Sequence, residues 1–170
     1  VIQFEDLAAA QHLFKVDDVF CCLGTTLKEA KSKDNQKKID LNYCKSIASY
    51  SNQHNCSTFL LVSSVGASST SSSFYLALKG QLEDYVTNCH IKHCYVFRPS
   101  VLLGFRKTFR LGEYLSKLVL FLLFPFLVGP LSKYKPISAK VLAKAMVYVA
   151  KNDHPNAIFT FNHIKKLASR

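Results

Sequence analysis

The chain has 170 residues, of which 49% are hydrophobic and 19% charged. This excludes a disordered chain and fits one compact domain rather than two. The net charge of +11 favours phosphorylated ligands, nucleic acid or anionic surfaces as partners, without choosing among them.

In chain order, "VIQF" at residues 1–4 reads as a short strand and "EDLAAAQHLFK" as a helical stretch. "DDVFCCLG" reads as a buried strand stopping at Gly24, and "TTLKEAKSK" as a lysine-rich loop. A helix is predicted over 34–54, with Ile39, Tyr43, Ile47 and Tyr50 at helical steps. "STFLLVSS" is a second buried strand, and "VGASSTSSS" a polar loop expected to be mobile until a ligand arrives. A helix over 74–88 precedes the strand "KHCYVFRPS", ended by Pro99. The apolar stretch "LGEYLSKLVLFLLFPFLVGPL", the amphipathic helix "PISAKVLAKAMVYVAKN" and the short strand "NAIFTFN" follow.

Strands alternating with helices predict βαβ units and an α/β fold with a parallel sheet. The near-continuous apolar strands agree, because a parallel sheet is covered on both faces. The uncharged run at 118–131 contains Pro125, Gly129 and Pro130. It falls short of the roughly 20 residues that span a bilayer. A buried helix is the expectation there; a peripheral membrane contact beside Lys117, Lys133 and Lys135 is not favoured.

The six cysteines, Cys21, Cys22, Cys44, Cys56, Cys89 and Cys94, form no C-x-x-C unit. No signal peptide is visible, so reduced thiols and a cytoplasmic location are expected. The chain opens on Val1 and its sole methionine is Met146, which reads as a sequence lacking its beginning.

The chemistry concentrates in "SSSFYLALKG", residues 71–80. Tyr75 and Lys79 are four apart, on one face of a helix. A free tyrosine has a pKa of about 10 and is a poor acid or base near neutrality. A neighbouring ammonium favours the phenolate, and general acid–base work then becomes accessible. Alone, the Y-x-x-x-K spacing is common in helices. It gains weight because Ser63 and Ser64 end the preceding strand, at the sheet edge where ligands bind.

The segments "DDVFCCLGTT", "FLLVSSVGA", "SSSFYLALKGQLE", "VFRPSVLLG" and "RLGEYL" together resemble the short-chain dehydrogenase/reductase superfamily, in its atypical, Tat-interacting-protein-like branch. The resemblance covers nearly the whole chain. It implies nicotinamide dinucleotide binding and carbonyl/alcohol redox chemistry on a small molecule. Tyr75 would be the acid/base, Lys79 its partner and Ser64 the substrate-orienting hydroxyl, with Ser63 the fallback. Leu23, Gly24 and Thr25 would border the adenosine half of the cofactor, and Asp6 and Leu7 would lie near the adenine. Arg98, Pro99 and Ser100 would flank the nicotinamide. The implied cofactor is NADP(H) or NAD(H), with NADP(H) slightly preferred, and no metal.

One part of the family pattern is missing. The family opens with a strand and a G-x-x-G-x-x-G turn that holds the pyrophosphate at a helix N-terminus. The six glycines here, Gly24, Gly66, Gly80, Gly104, Gly112 and Gly129, build no such turn. The first residues match the family's third strand, so a gap is expected beside "DDVFCCLG". The fold expectation is therefore an incomplete Rossmann-like sheet, residues 1–170 forming one domain and 105–170 containing a small substrate-side lobe.

"CHIKHC", with Cys89, His90, His93 and Cys94, holds metal-ligand residue types at tight spacing, and a surface turn is the better reading. Lys28, Lys31, Lys33, Lys37 and Lys38 read as a solvated face, since few aromatics interleave them and no nucleic-acid fold is recognisable. Two functions follow: an NAD(P)(H)-dependent oxidoreductase, favoured by Ser64, Tyr75 and Lys79, or an interaction protein that has lost dinucleotide binding, favoured by the missing glycines. A protein partner is compatible with either; specific nucleic-acid binding is not expected.

Overall fold

The structure is a computed structural model that describes residues 2–103, 129–152, 154–155 and 157–170. The elements in chain order are β1 (Asp18–Cys21), α1 (Leu27–Ala30), α2 (Lys33–Lys37), a π-helical segment (Lys38–Tyr43), α3 (Cys44–Gln53), β2 (Thr58–Val62), α4 (Phe74–Asn88), β3 (His93–Phe97), β4 (Leu102–Leu103), β5 (Ile137–Ser138), α5 (Ala139–Lys151), β6 (Ala157–Phe159) and α6 (Phe161–Ala168). Short 3-10 turns lie at Phe4–Asp6, Gln11–Phe14 and Gly129–Tyr134.

The apolar strands pair in parallel, in the order β1-β2-β3-β6. Side chains alternate across such a sheet, and both faces are filled. Phe59 and Leu61 of β2, with Cys94 and Val96 of β3, pack under α3 and α4 against Leu41, Ile47, Leu78, Leu82 and Val86. Leu60, Tyr95, Phe97 and Phe159 face the other way, against Leu142, Met146 and Val149 of α5 and Ile164 and Leu167 of α6. The result is a three-layer α/β/α sandwich, the parallel architecture the strand–helix alternation predicts. A separate two-stranded parallel pair, β4 with β5, lies beyond the carboxyl end of β3.

β1 is an edge strand. Among the described residues only β2 pairs with it, and Phe20 stays 44% exposed. This is the gap expected beside residues 17–24.

Three local expectations are corrected. Residues 2–4 form no strand: the chain closes a 3-10 turn, with Asp6 N–H donating to the Gln3 carbonyl at 3.0 Å, and a strand without a neighbour leaves its backbone unpaired. The stretch at 5–15 is one 3-10 turn ending at Asp6 and another at Gln11–Phe14, not a continuous helix. The lysine-rich loop contains α1 and the first residue of α2, because Thr26 and Ser32 cap these helices. Thr26 makes a capping box: its hydroxyl accepts from Glu29 N–H at 3.3 Å, and the Glu29 carboxylate accepts from Thr26 N–H. Thr26→Ala is expected to cost about 1 kcal/mol locally, read as roughly fivefold faster amide exchange at Glu29.

The helix expected over 34–54 runs through α2, the π segment and α3. The apolar run at 118–128 lies outside the described residues, as does much of the segment expected to build the substrate-side lobe. Among the described residues no helix is long and apolar enough to cross a membrane.

Candidate active site

The site forms where β1, β2 and β3 end. Backbone pairing continues past both inner strands: Ser63 N–H donates to the Phe97 carbonyl at 2.8 Å, and Val65 N–H to that of Pro99 at 2.9 Å. This sets Ser63 and Ser64 beside Pro99. On the other side, the chain leaving β1 brings Leu23, Gly24 and Thr25 to the same edge. All of these line one cleft of about 720 Å³.

Helix α4 supplies the reactive side chains. Its stripe at four-residue steps, Tyr75, Lys79 and Glu83, faces the sheet edge and then the sheet. Tyr75 is half-buried and lines the cleft with Ser64. Lys79 is 3% exposed; its Nζ lies 5.9 Å from the Tyr75 ring centroid and donates to the Leu23 carbonyl at 3.4 Å. The arrangement thus presents a hydroxyl, a phenol and an ammonium to one space.

The serine loop is tied down more firmly than expected. Ser68 N–H donates to the Leu76 carbonyl at 3.2 Å, and Ser71 N–H to the Ser68 carbonyl at 3.0 Å. Gly80 lets the loop backbone lie directly on α4: a Cβ there would sit 2.1 Å from the Ser68 carbonyl carbon.

Several expected positions fall elsewhere. Arg98 is not brought to the cleft. Its Nε donates to Glu83 Oε1 at 3.0 Å and Oε2 at 3.1 Å, and its Nη2 joins the same carboxylate. That hydrogen bonding holds the guanidinium even further above its ordinary pKa. The Ser63 hydroxyl also donates to Glu83, so Ser63 borders the cleft with its hydroxyl engaged. Pro99 and Ser100 line the cleft, but Ser100 Oγ donates to the Lys135 carbonyl at 2.6 Å, tying β3's exit to the segment before β5. Leu7 is buried in the core under α3 and α4, and Asp6 is an exposed turn residue.

A second cavity of about 570 Å³ adjoins the first through Leu23 and Thr25. Here Phe4 stacks on Tyr43 with centroids 5.3 Å apart, and Tyr43 Oη donates to Glu5 at 2.7 Å. That hydrogen bond is the main cause lowering the pKa of the exposed Glu5 carboxyl. Phe4, Glu5 and Tyr43 line this cavity, and Asp6 and Leu7 do not.

Two residues at the site carry no motif signal. Glu83 holds Ser63 and Arg98 together, and Asp40, fully buried in the π segment, accepts from Thr25 N–H at 2.6 Å. Burial raises the Asp40 carboxyl above its ordinary range, against the pull of Lys79. Nearby, a hydrogen bond with Cys21, and then burial, push the Cys44 thiol up, and the described cysteines are free thiols. Around "CHIKHC", Cys94 is buried and the His93 ring stacks on Tyr95 at 6.2 Å. Among the described residues no group of three or more His, Cys, Asp and Glu side chains could hold a metal.

Comparison with known proteins completes the picture. No family model matches the chain. In structure it is similar to the Bordetella bronchiseptica enzyme WbmH in complex with NAD+, with TM-score 0.67 at 16% identity, over 99% of this chain and 62% of that one. It is likewise similar to dTDP-4-dehydrorhamnose reductase from Bacillus anthracis in complex with NADP, with TM-score 0.65 at 13% identity, over 99% and 68%. The fold is thus the Rossmann-like α/β fold of these two enzymes. In sequence the chain is 39% identical to Protein HTATIP2 of Rattus norvegicus over 118 residues, 69% of this chain and 48% of the relative. It is 40% identical to the mitochondrial protein FMP52-1 of Scheffersomyces stipitis over 89 residues, 52% of this chain and 39% of the relative. HTATIP2 and the FMP52 proteins are thus its relatives in sequence, in agreement with the resemblance to the atypical short-chain dehydrogenase/reductases.

The chain spans about half or less of the length of these curated relatives. The expected cytoplasmic location is corrected by them: FMP52-1 and FMP52 of several other yeasts are named as mitochondrial proteins.

Proposed function

We propose that this chain carries the catalytic half of an NAD(P)(H)-dependent oxidoreductase acting on a small carbonyl or alcohol. One observation carries the reading: Ser64 from the end of β2, and Tyr75 and Lys79 from α4, line a single cleft at the carboxyl edge of a parallel sheet. In the reducing direction the Ser64 hydroxyl orients the carbonyl oxygen. Tyr75 Oη gives that oxygen its proton, and the Lys79 ammonium stabilises the phenolate left behind. A bound nicotinamide supplies or accepts the hydride.

The residues expected to border the adenosine half fit such a cofactor. Gly24 has no Cβ, which leaves backbone, Lys79 and Asp40 as the surface a ligand meets. The cavity lined by Phe4 and Tyr43 suits the adenosine half. The glycine-rich pyrophosphate turn is not among the six glycines of this sequence. The second reading is an interaction protein with the same fold and no dinucleotide binding. A mitochondrial setting, taken from the FMP52 relatives, replaces the cytoplasmic one.

Calorimetric titration of the natural full-length protein with NADPH and NADH separates the two. Saturable binding of either supports the oxidoreductase reading; no binding by that protein contradicts it and leaves the interaction reading.

A further inference from the structure

Of the lysines grouped at 28–38, Lys33 alone reaches the cleft of Ser64 and Tyr75. Lys31 and Lys38 line the second cavity, and Lys38 is paired with Glu5. Lys33 has no ion-pair partner among the described residues. Its Nζ lies 5.4 Å from the centroid of the Phe74 ring, and Phe74 lines the cleft one residue before Tyr75. A cation over an aromatic face is held in place and keeps hydrogen-bond donors for a ligand.

The charges on the cleft walls are unequal. Among the described residues Lys33 and Lys79 are its cations and Glu29 its one carboxylate. Glu29 is committed to the capping box, accepting from Thr26 N–H at 3.4 Å and from Thr26 Oγ1 at 3.1 Å. Lys79 serves Tyr75 and the Leu23 carbonyl. The ammonium of Lys33 is the charge left for a ligand. The same cleft also has apolar walls, and two of them, Leu27 and Val101, stay 48% and 40% exposed. A ligand with an apolar body would cover that surface.

We propose that Lys33 is a substrate-specificity residue, and that the carbonyl compound taken by this cleft bears a carboxylate on an apolar body. The proposal rests on the oxidoreductase reading for its chemistry. Reduction occurs at the carbonyl beside Ser64 and Tyr75, and the carboxylate is bound by Lys33 unchanged. A carboxylate fits better than a phosphate, because one ammonium balances one negative charge and Glu29 on the same walls repels a second.

A matched pair of aldehydes tests it on the full-length protein. The pair is 4-formylbenzoate and its methyl ester, which keeps the aldehyde and ring and lacks the charge. With NADPH as reductant, Lys33→Met should lower the acid-to-ester ratio of kcat/KM about tenfold, mainly through KM for the acid. Lys33→Arg should recover most of that ratio. An unchanged ratio in Lys33→Met overturns the proposal, since a role of Lys33 in stability or in dinucleotide binding would alter both aldehydes alike. If the wild type reduces neither aldehyde, NMR titration with 4-formylbenzoate decides the site: Kd should be about tenfold weaker in Lys33→Met. No binding by the wild type, or an equal Kd in the variant, overturns the proposal. The oxidoreductase reading stands or falls separately, on dinucleotide binding.

Discussion

Gly80→Ala is expected to destabilise the protein by about 3 kcal/mol, the upper end of ordinary overpacking. Helix propensity alone gives the opposite sign, since alanine is favoured over glycine by roughly 1 kcal/mol in a helix interior. The clash decides between them. The new methyl would lie 2.1 Å from the Ser68 carbonyl carbon and 2.2 Å from Ser69 N, and both are backbone atoms. Neither can rotate away, so the serine loop or α4 has to move. The loop hangs on α4 through Ser68 N–H and the Leu76 carbonyl, next to Tyr75. For a chain of this size the loss appears as a melting temperature about 10 °C lower. A Gly80→Ala variant that melts higher than the wild type would show that loop and helix do not touch as described.

Glu83→Ala should cost about 3 kcal/mol in urea unfolding, the lower end for breaking a buried ion pair. The Glu83 side chain is 5% exposed and that of Arg98 27%. Removing the carboxylate strands the guanidinium and the Ser63 hydroxyl together. Glu83→Gln, which keeps an acceptor and loses the charge, should lie between wild type and Glu83→Ala. In a double-mutant cycle with Arg98→Met, the two losses should fall well short of additive. Full additivity would mean that Arg98 does not depend on Glu83. The clamp matters for the site because it joins α4 to the ends of β2 and β3. The helix that carries Tyr75 and Lys79 is therefore fixed to the sheet one turn further along.

Much of this was legible in the sequence because it is local. The bounds of α4 follow from its residues, and the βαβ alternation gave the parallel sheet. The pairing of Ser64 with Tyr75 and Lys79 followed from where a strand ends and the next helix begins. What was hidden depends on distant partners. The resemblance put Arg98 beside the nicotinamide, yet Glu83, fifteen positions earlier, takes its guanidinium. Asp40 carries no motif in the sequence; the π segment buries it, and it accepts from Thr25 N–H. Residues 1–4 looked like a strand on apolar content alone. A strand also needs an edge to pair with, and in this sheet the outer edge of β1 stays open among the described residues.

The central claim is that Tyr75, Lys79 and Ser64 form an acid–base site for hydride transfer. Single-turnover reduction of a carbonyl panel by the full-length protein with bound NADPH or NADH tests it most directly, in the wild type and in Tyr75→Phe. The account predicts that Tyr75→Phe binds the dinucleotide nearly as well as the wild type and loses about 10²–10⁴-fold in rate, the range for a lost general acid. A Tyr75→Phe protein that transfers hydride at the wild-type rate would contradict it.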